Sequence, residues 1–169
     1  MKIIEDNFLD QNKFDKLQNT MMVQETFPWV FADGIDYIDD VNLFQFIHIF
    51  YEYMPGSPFH DEMIPILELI NPISLWRIKA NLLTRTSEIV ENKFHSDLES
   101  KLPEEKLKQW TTSIFYVNTN NGYTEFEDGT KVGSVANRMV TFPTNIKHRG
   151  TSCTDQNTRI VINFNYYTI

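Results

Sequence analysis

His95, Asp97 and His148 are the residues of this chain whose types and spacing best suit a metal ion. His95 and Asp97 lie two positions apart, so in extended backbone both project to one side. His148 has to come from another strand, because three ligands in one short strand do not surround an ion. Two imidazoles and one carboxylate on one face of an octahedron form the facial triad that suits non-heme Fe(II) and leaves three positions open. A 2-oxo acid fills two of them through its carboxylate and ketone oxygens, and dioxygen fills the third. Arg159 stands eleven positions after His148. Its guanidinium suits a bidentate pair with a carboxylate-bearing cosubstrate.

Blander readings compete for each of these residues. A lone histidine is more often a packed or surface group than a ligand, and it is the grouping of His-x-Asp, His148 and Arg159 that favours metal chemistry here. Arg159 opens the alternating run Arg159-Ile160-Val161-Ile162-Asn163-Phe164-Asn165. Ile160, Ile162, Phe164 and Tyr166 share a plainly hydrophobic face, while Arg159, Val161, Asn163 and Asn165 share the other. That second face reads as the wall of a pocket for a small polar ligand. His48 reads as a core-edge histidine and His60 as local turn chemistry beside Asp61. Arg138 reads equally as a substrate-mouth or a surface residue. Cys153 has no general base beside it in sequence and reads as inert.

The elements that must position these groups change character near Ser74. Before it, Phe14, Leu17 and Met21 recur at helical spacing, with Asp10 as the cap. Residues 30–38 read as extended or loop. A second helix is expected over 40–53, and a short third one over 61–70, closed by Asn71-Pro72. From Ser74 the period becomes two, predicting strands over 74–82, 88–94, 110–118, 124–127, 130–135, 139–142, 146–149 and 158–167. Asp128-Gly129 predicts a type I′ hairpin. Residues 98–109 read either as a lid beside the metal or as a solvated surface helix with a Glu104–Lys108 pair. Many short strands with frequent turns predict a sandwich or jelly roll.

Composition narrows the classes. At 169 residues one domain is expected, large enough for a sizeable core. Its first part, 1–72, should be mostly helical support and 73–169 the jelly-roll core, so the fold class is mainly β with N-terminal helices (α+β). The net charge of −8 disfavours nucleic acid as a partner. A single cysteine allows no internal disulfide, and no apolar stretch is long enough to span a bilayer. The acidic start is not expected to act as a signal peptide. A cytoplasmic protein without a membrane partner is the expectation. Oligomeric state is not readable.

Around Phe94 to Tyr167 the sequence resembles the 2-oxoglutarate- and Fe(II)-dependent dioxygenase superfamily, in its prolyl-4-hydroxylase-like branch. The resemblance runs from Ser74 to Tyr167. It is carried by His95-x-Asp97, Phe115-Tyr116-Val117-Asn118, Gly122-Tyr123-Thr124-Glu125-Phe126, Arg138-Met139-Val140-Thr141-Phe142, His148-Arg149-Gly150 and Arg159-Ile160-Val161-Ile162-Asn163-Phe164. It implies a double-stranded β-helix, a cupin-like jelly roll, with helices on one outer face. It also implies hydroxylation of a C–H bond coupled to decarboxylation of 2-oxoglutarate to succinate. Fe(II), 2-oxoglutarate and O2 would be required, with ascorbate as a candidate reductant. By the same resemblance Arg159 and Tyr116 would bind the far carboxylate of the cosubstrate. Many members carry a serine two residues after the arginine; here Val161 stands there. Asn81 falls where relatives often have a cosubstrate-lining tyrosine, and counts only as a candidate pocket residue. The substrate would be a peptide, prolyl residues being the first guess, or a small amine or amino acid. Two other classes stay open: a cupin-like metal protein without 2-oxoglutarate, and a non-catalytic binding module.

Overall fold

The computed structural model describes residues 1–35 and 43–169. Helix α1 (Gln11–Met22) starts where Asp10 accepts a hydrogen bond from the Asn12 amide at 3.0 Å. That satisfies one of the donors left over at a helix start. Its inner stripe buries Phe14, Leu17 and Met21, as the spacing predicted. A short 3-10 turn, His60–Met63, leads into α2 (Ile64–Ile70), which closes on Asn71 in the left-handed region.

The remainder is antiparallel sheet and the loops that join its strands. The large sheet runs β1 (Ile3–Glu5), β9 (Arg138–Pro143), β6 (Thr111–Tyr116), β11 (Thr158–Tyr167), β5 (Ser74–Thr84), β3 (Phe44–Glu52), β2 (Val30–Asp33), with β4 (Met54–Pro55) paired to β3. The small sheet runs β10 (His148–Gly150), β7 (Tyr123–Phe126), β8 (Lys131–Gly133). One apolar cluster packs α1, α2 and Phe27 against Phe50, Ile78, Phe115, Ile162 and Phe164 on the outer face of the large sheet. A second, holding Tyr116, Phe126, Val140, Phe142 and Val161, fills the space between the sheets. The fold is a jelly roll with helices on one outer face.

Four expectations need correction. The helix predicted over 40–53 is the strand β3 from Phe44 onward; residues 40–42 lie outside the described residues, as do 36–38 of the extended stretch before it. The run Phe-Gln-Phe-Ile-His-Ile-Phe-Tyr is rich in β-branched and aromatic residues, which suit a pleated surface better than a helix. Residues 1–72 are therefore not mostly helical, since β1 to β4 all come from them. The 88–94 strand is reduced to one isolated bridge, Glu91 to Thr151, with a second just beyond it at His95 to His148. The Asp128-Gly129 turn has only Gly129 at positive φ, at 82°. Gly129 and Phe126 close a turn at 2.9 Å, so this is a type I turn followed by a left-handed glycine. The 98–109 stretch forms one four-residue helix, α3 (Glu104–Leu107), with Glu104 3.5 Å from Lys108. Among the described residues no helix is long and apolar enough to cross a membrane.

Candidate metal centre

The bridge between His95 and His148 sets up the site. Each donates its backbone N–H to the other's carbonyl, at 3.0 and 2.9 Å, so two residues distant in sequence become cross-strand partners. Their rings stand 4.7 Å apart between centroids. His95 Nδ1 lies 3.4 Å from the Lys93 carbonyl, and His148 Nδ1 lies 3.3 Å from the Ile146 carbonyl. A carbonyl only accepts, so Nδ1 is the donor in both rings, which directs Nε2 away from the backbone. Asp97 Oδ1 is 3.6 Å from His95 Nε2. One ligand atom from each of His95, Asp97 and His148 lies within 4.8 Å of the others.

Local structure holds Asp97 in place. The Ser96 amide and hydroxyl both donate to Glu99, at 3.1 and 3.2 Å, making a tight turn after the metal pair. Leu98 takes a left-handed φ of 63° and is buried. Asn165, fully buried on β11, donates Nδ2 to Asp97 Oδ2 at 2.7 Å and to Thr112 Oγ1 at 3.2 Å. Arg77 Nη2 approaches Asp97 Oδ1 at 3.9 Å. Burial alone would raise the Asp97 carboxyl, but His95, His148 and Arg77 outweigh it and hold the group well below the carboxylate range. For His148, burial and then neighbouring His95 push the imidazole down to about 4. An ionised carboxylate and a neutral imidazole are the states a divalent metal needs.

A cavity of about 260 Å³ opens between the sheets, with this triad on one part of its wall and Arg159 on another. Arg159 is 3% exposed, yet among the described residues it has no acidic partner. Instead Nε donates to Ser134 Oγ at 2.8 Å and Nη2 to Thr124 Oγ1 at 3.2 Å. Its stem crosses Gly122 so closely that a Cβ there would lie 2.6 Å from Arg159 Cδ. Gly122 is thus more than a turn residue: any side chain would displace the arginine. Burial pulls the guanidinium below its usual value, but arginine stays charged. A buried, unpaired cation on a cavity wall calls for an anion.

Asn81, Val161 and Asn163 line the same cavity. Tyr116 does not. It is fully buried behind Thr124, with its hydroxyl donating to Thr124 Oγ1 at 2.8 Å and its ring 5.8 Å from the Arg159 guanidinium. Burial raises its phenol, so it remains a neutral donor. Because Thr124 Oγ1 accepts from both Tyr116 and Arg159, its own proton is directed elsewhere, and Thr124 lines the cavity. The place on the cavity wall expected of Tyr116 is therefore taken by Thr124. The sequence places Asn165 only on the pocket-wall face of its strand, and it does not single out Thr124, Ser134 or Arg77. Asn165 and Arg77 were legible in principle, since each sits on the cavity-facing side of an alternating strand. The two hydroxyls carry no sequence signal.

No protein-family model and no curated protein matches the chain. Solved structures do. A 2OG-Fe(II) oxygenase family oxidoreductase from Burkholderia pseudomallei matches with a TM-score of 0.71 at 9% identity, over 98% of this chain and 84% of that one. A prolyl hydroxylase from Trichoplax adhaerens, in complex with a hypoxia inducible factor peptide fragment, matches at 0.67 and 13%, over 98% and 83%. The epimerase SnoN from nogalamycin biosynthesis, in complex with Fe3+ and alpha ketoglutarate, matches at 0.67 and 12%, over 98% and 78%. At such identities the likeness establishes the fold: the chain is a double-stranded β-helix of the kind these oxygenases share.

Proposed function

We propose that the protein is an Fe(II)- and 2-oxoglutarate-dependent dioxygenase that hydroxylates a C–H bond of a peptide or small amino-acid-like substrate. The observation that carries this reading is one cavity lined by both a His-Asp-His triad and a buried arginine without an acidic partner among the described residues. The donor set fits Fe(II): a neutral His148 imidazole, the His95 imidazole, one ionised carboxylate, and no thiolate. His95, Asp97 and His148 would hold the ion. Arg159, with Thr124 and Ser134 fixing and flanking it, would hold the far carboxylate of 2-oxoglutarate. Asn81, Val161 and Asn163 would shape the wall between. When bound, iron and 2-oxoglutarate would activate dioxygen, one oxygen atom going to succinate as carbon dioxide leaves and the other to the substrate C–H bond. The chain's own part is to bind, orient and exclude water. Prolyl peptides remain the first substrate guess, supported by the solved prolyl hydroxylases of this fold. A cupin-like metal protein without 2-oxoglutarate has no use for the unpaired Arg159.

The test is anaerobic titration of the protein with Fe(II) and then 2-oxoglutarate, following the visible metal-to-ligand charge-transfer band. The band should form in the wild type and fail to form at the same 2-oxoglutarate concentration in Arg159→Ala. A protein that binds iron yet shows no band with 2-oxoglutarate would sink the reading.

A further inference from the structure

We propose that Arg77 binds a carboxylate of the primary substrate, so that the substrates are carboxylic acids held beside the metal. This rests on the oxygenase reading above and names its substrate class. Arg77 lies on β5, directly opposite Asn165 of β11, and lines the cavity. Its side chain is 22% exposed, so most of it is sunk in the wall and a smaller part stays accessible. Among the described residues it makes no good hydrogen bond: Nε is buried without a partner, and the one ion pair is the 3.9 Å contact with Asp97 Oδ1. Guanidinium groups this enclosed are ordinarily paired.

Metal binding weakens even that pairing. Asn165 already occupies Asp97 Oδ2, so Oδ1 is the oxygen that faces His95 and is offered to the ion. A divalent ion bound there takes up the charge that faced Arg77. The charges of the metal, Asp97, 2-oxoglutarate and Arg159 then cancel. Lys79 and Glu99, one charge of each sign, also line the cavity. Arg77 is left as a partly desolvated cation within about 4 Å of a ligand oxygen. A carboxylate on the incoming substrate satisfies it and brings the carbons next to that carboxylate up to the metal. A free amino acid and a peptide C-terminus offer the same group.

The full-length protein is loaded with Co(II) and 2-oxoglutarate under nitrogen, so no turnover is needed. Co(II) visible absorption reports an arrival beside the metal. The probes are the L-amino acids, free and N-acetylated, each compared with its carboxamide. At least one acid should perturb the spectrum, and its carboxamide should need roughly 10- to 150-fold more for the same change. Arg77→Gln should erase that preference and Arg77→Lys restore part of it. A response to free acids alone points to small amino acids; a response to both forms points to a terminal carboxylate on a longer chain. Equal potency of acid and amide, no response to any acid, or an undiminished preference in Arg77→Gln would overturn the inference. The acid-to-amide comparison in the wild type stands even if the variants fold poorly. Failure of 2-oxoglutarate to alter the Co(II) spectrum, before any probe is added, would instead overturn the oxygenase reading.

Discussion

Two buried histidines in this molecule are bound in contrasting ways. His48, on β3, sits among Phe27, Phe50 and Phe59. Both of its nitrogens are engaged: Nδ1 donates to the Pro28 carbonyl at 2.8 Å, and Nε2 accepts from Ser57 Oγ at 2.7 Å. His148 has only Nδ1 anchored, and its other nitrogen has no hydrogen-bond partner among the described residues. Both are almost fully buried, and burial lowers both. Burial therefore does not separate a structural histidine from a candidate ligand. What separates them is whether the second nitrogen is already satisfied. Arg159 follows the same logic as His148, being oriented by neutral hydroxyls that leave its charge available.

The sharpest break is His148→Ala. It should abolish stoichiometric iron binding, measured by metal analysis after desalting, while the fold survives. His48→Ala should do the reverse, keeping iron and costing about 2–5 kcal/mol of stability through the cavity left and the unpaired Pro28 carbonyl. Iron retention in the first or loss in the second would erase the contrast. Next comes Arg159→Ala. Removing one partner of a desolvated charge pair costs about 3–5 kcal/mol, or roughly 100- to 5000-fold in 2-oxoglutarate affinity by calorimetry. Iron affinity should barely change.

Asn165→Leu should weaken iron binding by roughly 10- to 100-fold in a competition titration, the usual effect of losing a group that orients a metal ligand. A smaller change still is expected of Tyr116→Phe. It removes one neutral hydrogen bond to Thr124, about 0.5–1.5 kcal/mol, and so raises the 2-oxoglutarate requirement only several-fold. A loss as large as that of Arg159→Ala would return Tyr116 to direct contact. The smallest effect concerns pH. Burial lowers His48 from its usual value, outweighing the Pro28 hydrogen bond. A depressed value means that the unfolded chain binds the proton more readily. The stability this gives is full above about 6.5 and is lost as pH falls through the folded value. Imidazole NMR should show His48 titrating below about 6.5, with or without metal.

The legibility of the sequence divides along the chain. Thr158 to Tyr167 was readable because one face is Ile160, Ile162, Phe164 and Tyr166, an alternation a helix cannot satisfy. The metal group was readable because His-x-Asp is a local spacing and the three ligand types have few other uses together. Phe44 to Glu52 is ambiguous in sequence because Phe44, Ile47, His48 and Tyr51 also recur at helical spacing, so the pattern alone does not tell strand from helix. Thr124 and Ser134 were invisible because their importance arises only when β11 carries Arg159 past them. The same holds for Tyr116: its place near Arg159 followed from its strand, but Thr124 standing between it and the cavity did not.

The segment around His95 is tied to the small sheet by two isolated bridges rather than by a continuous ladder. An ion shared by His95, Asp97 and His148 would be a further fastening at that seam. Metal loss and peeling of this segment from β10 then become one event. Stability should rise with metal concentration by mass action, and the His95 and His148 amides should report it first through slower exchange with solvent. The rate at which the protein lets go of its ion would be set by how often this seam opens, so strengthening the seam with one more backbone hydrogen bond would make the ion slower to leave without changing a single ligand.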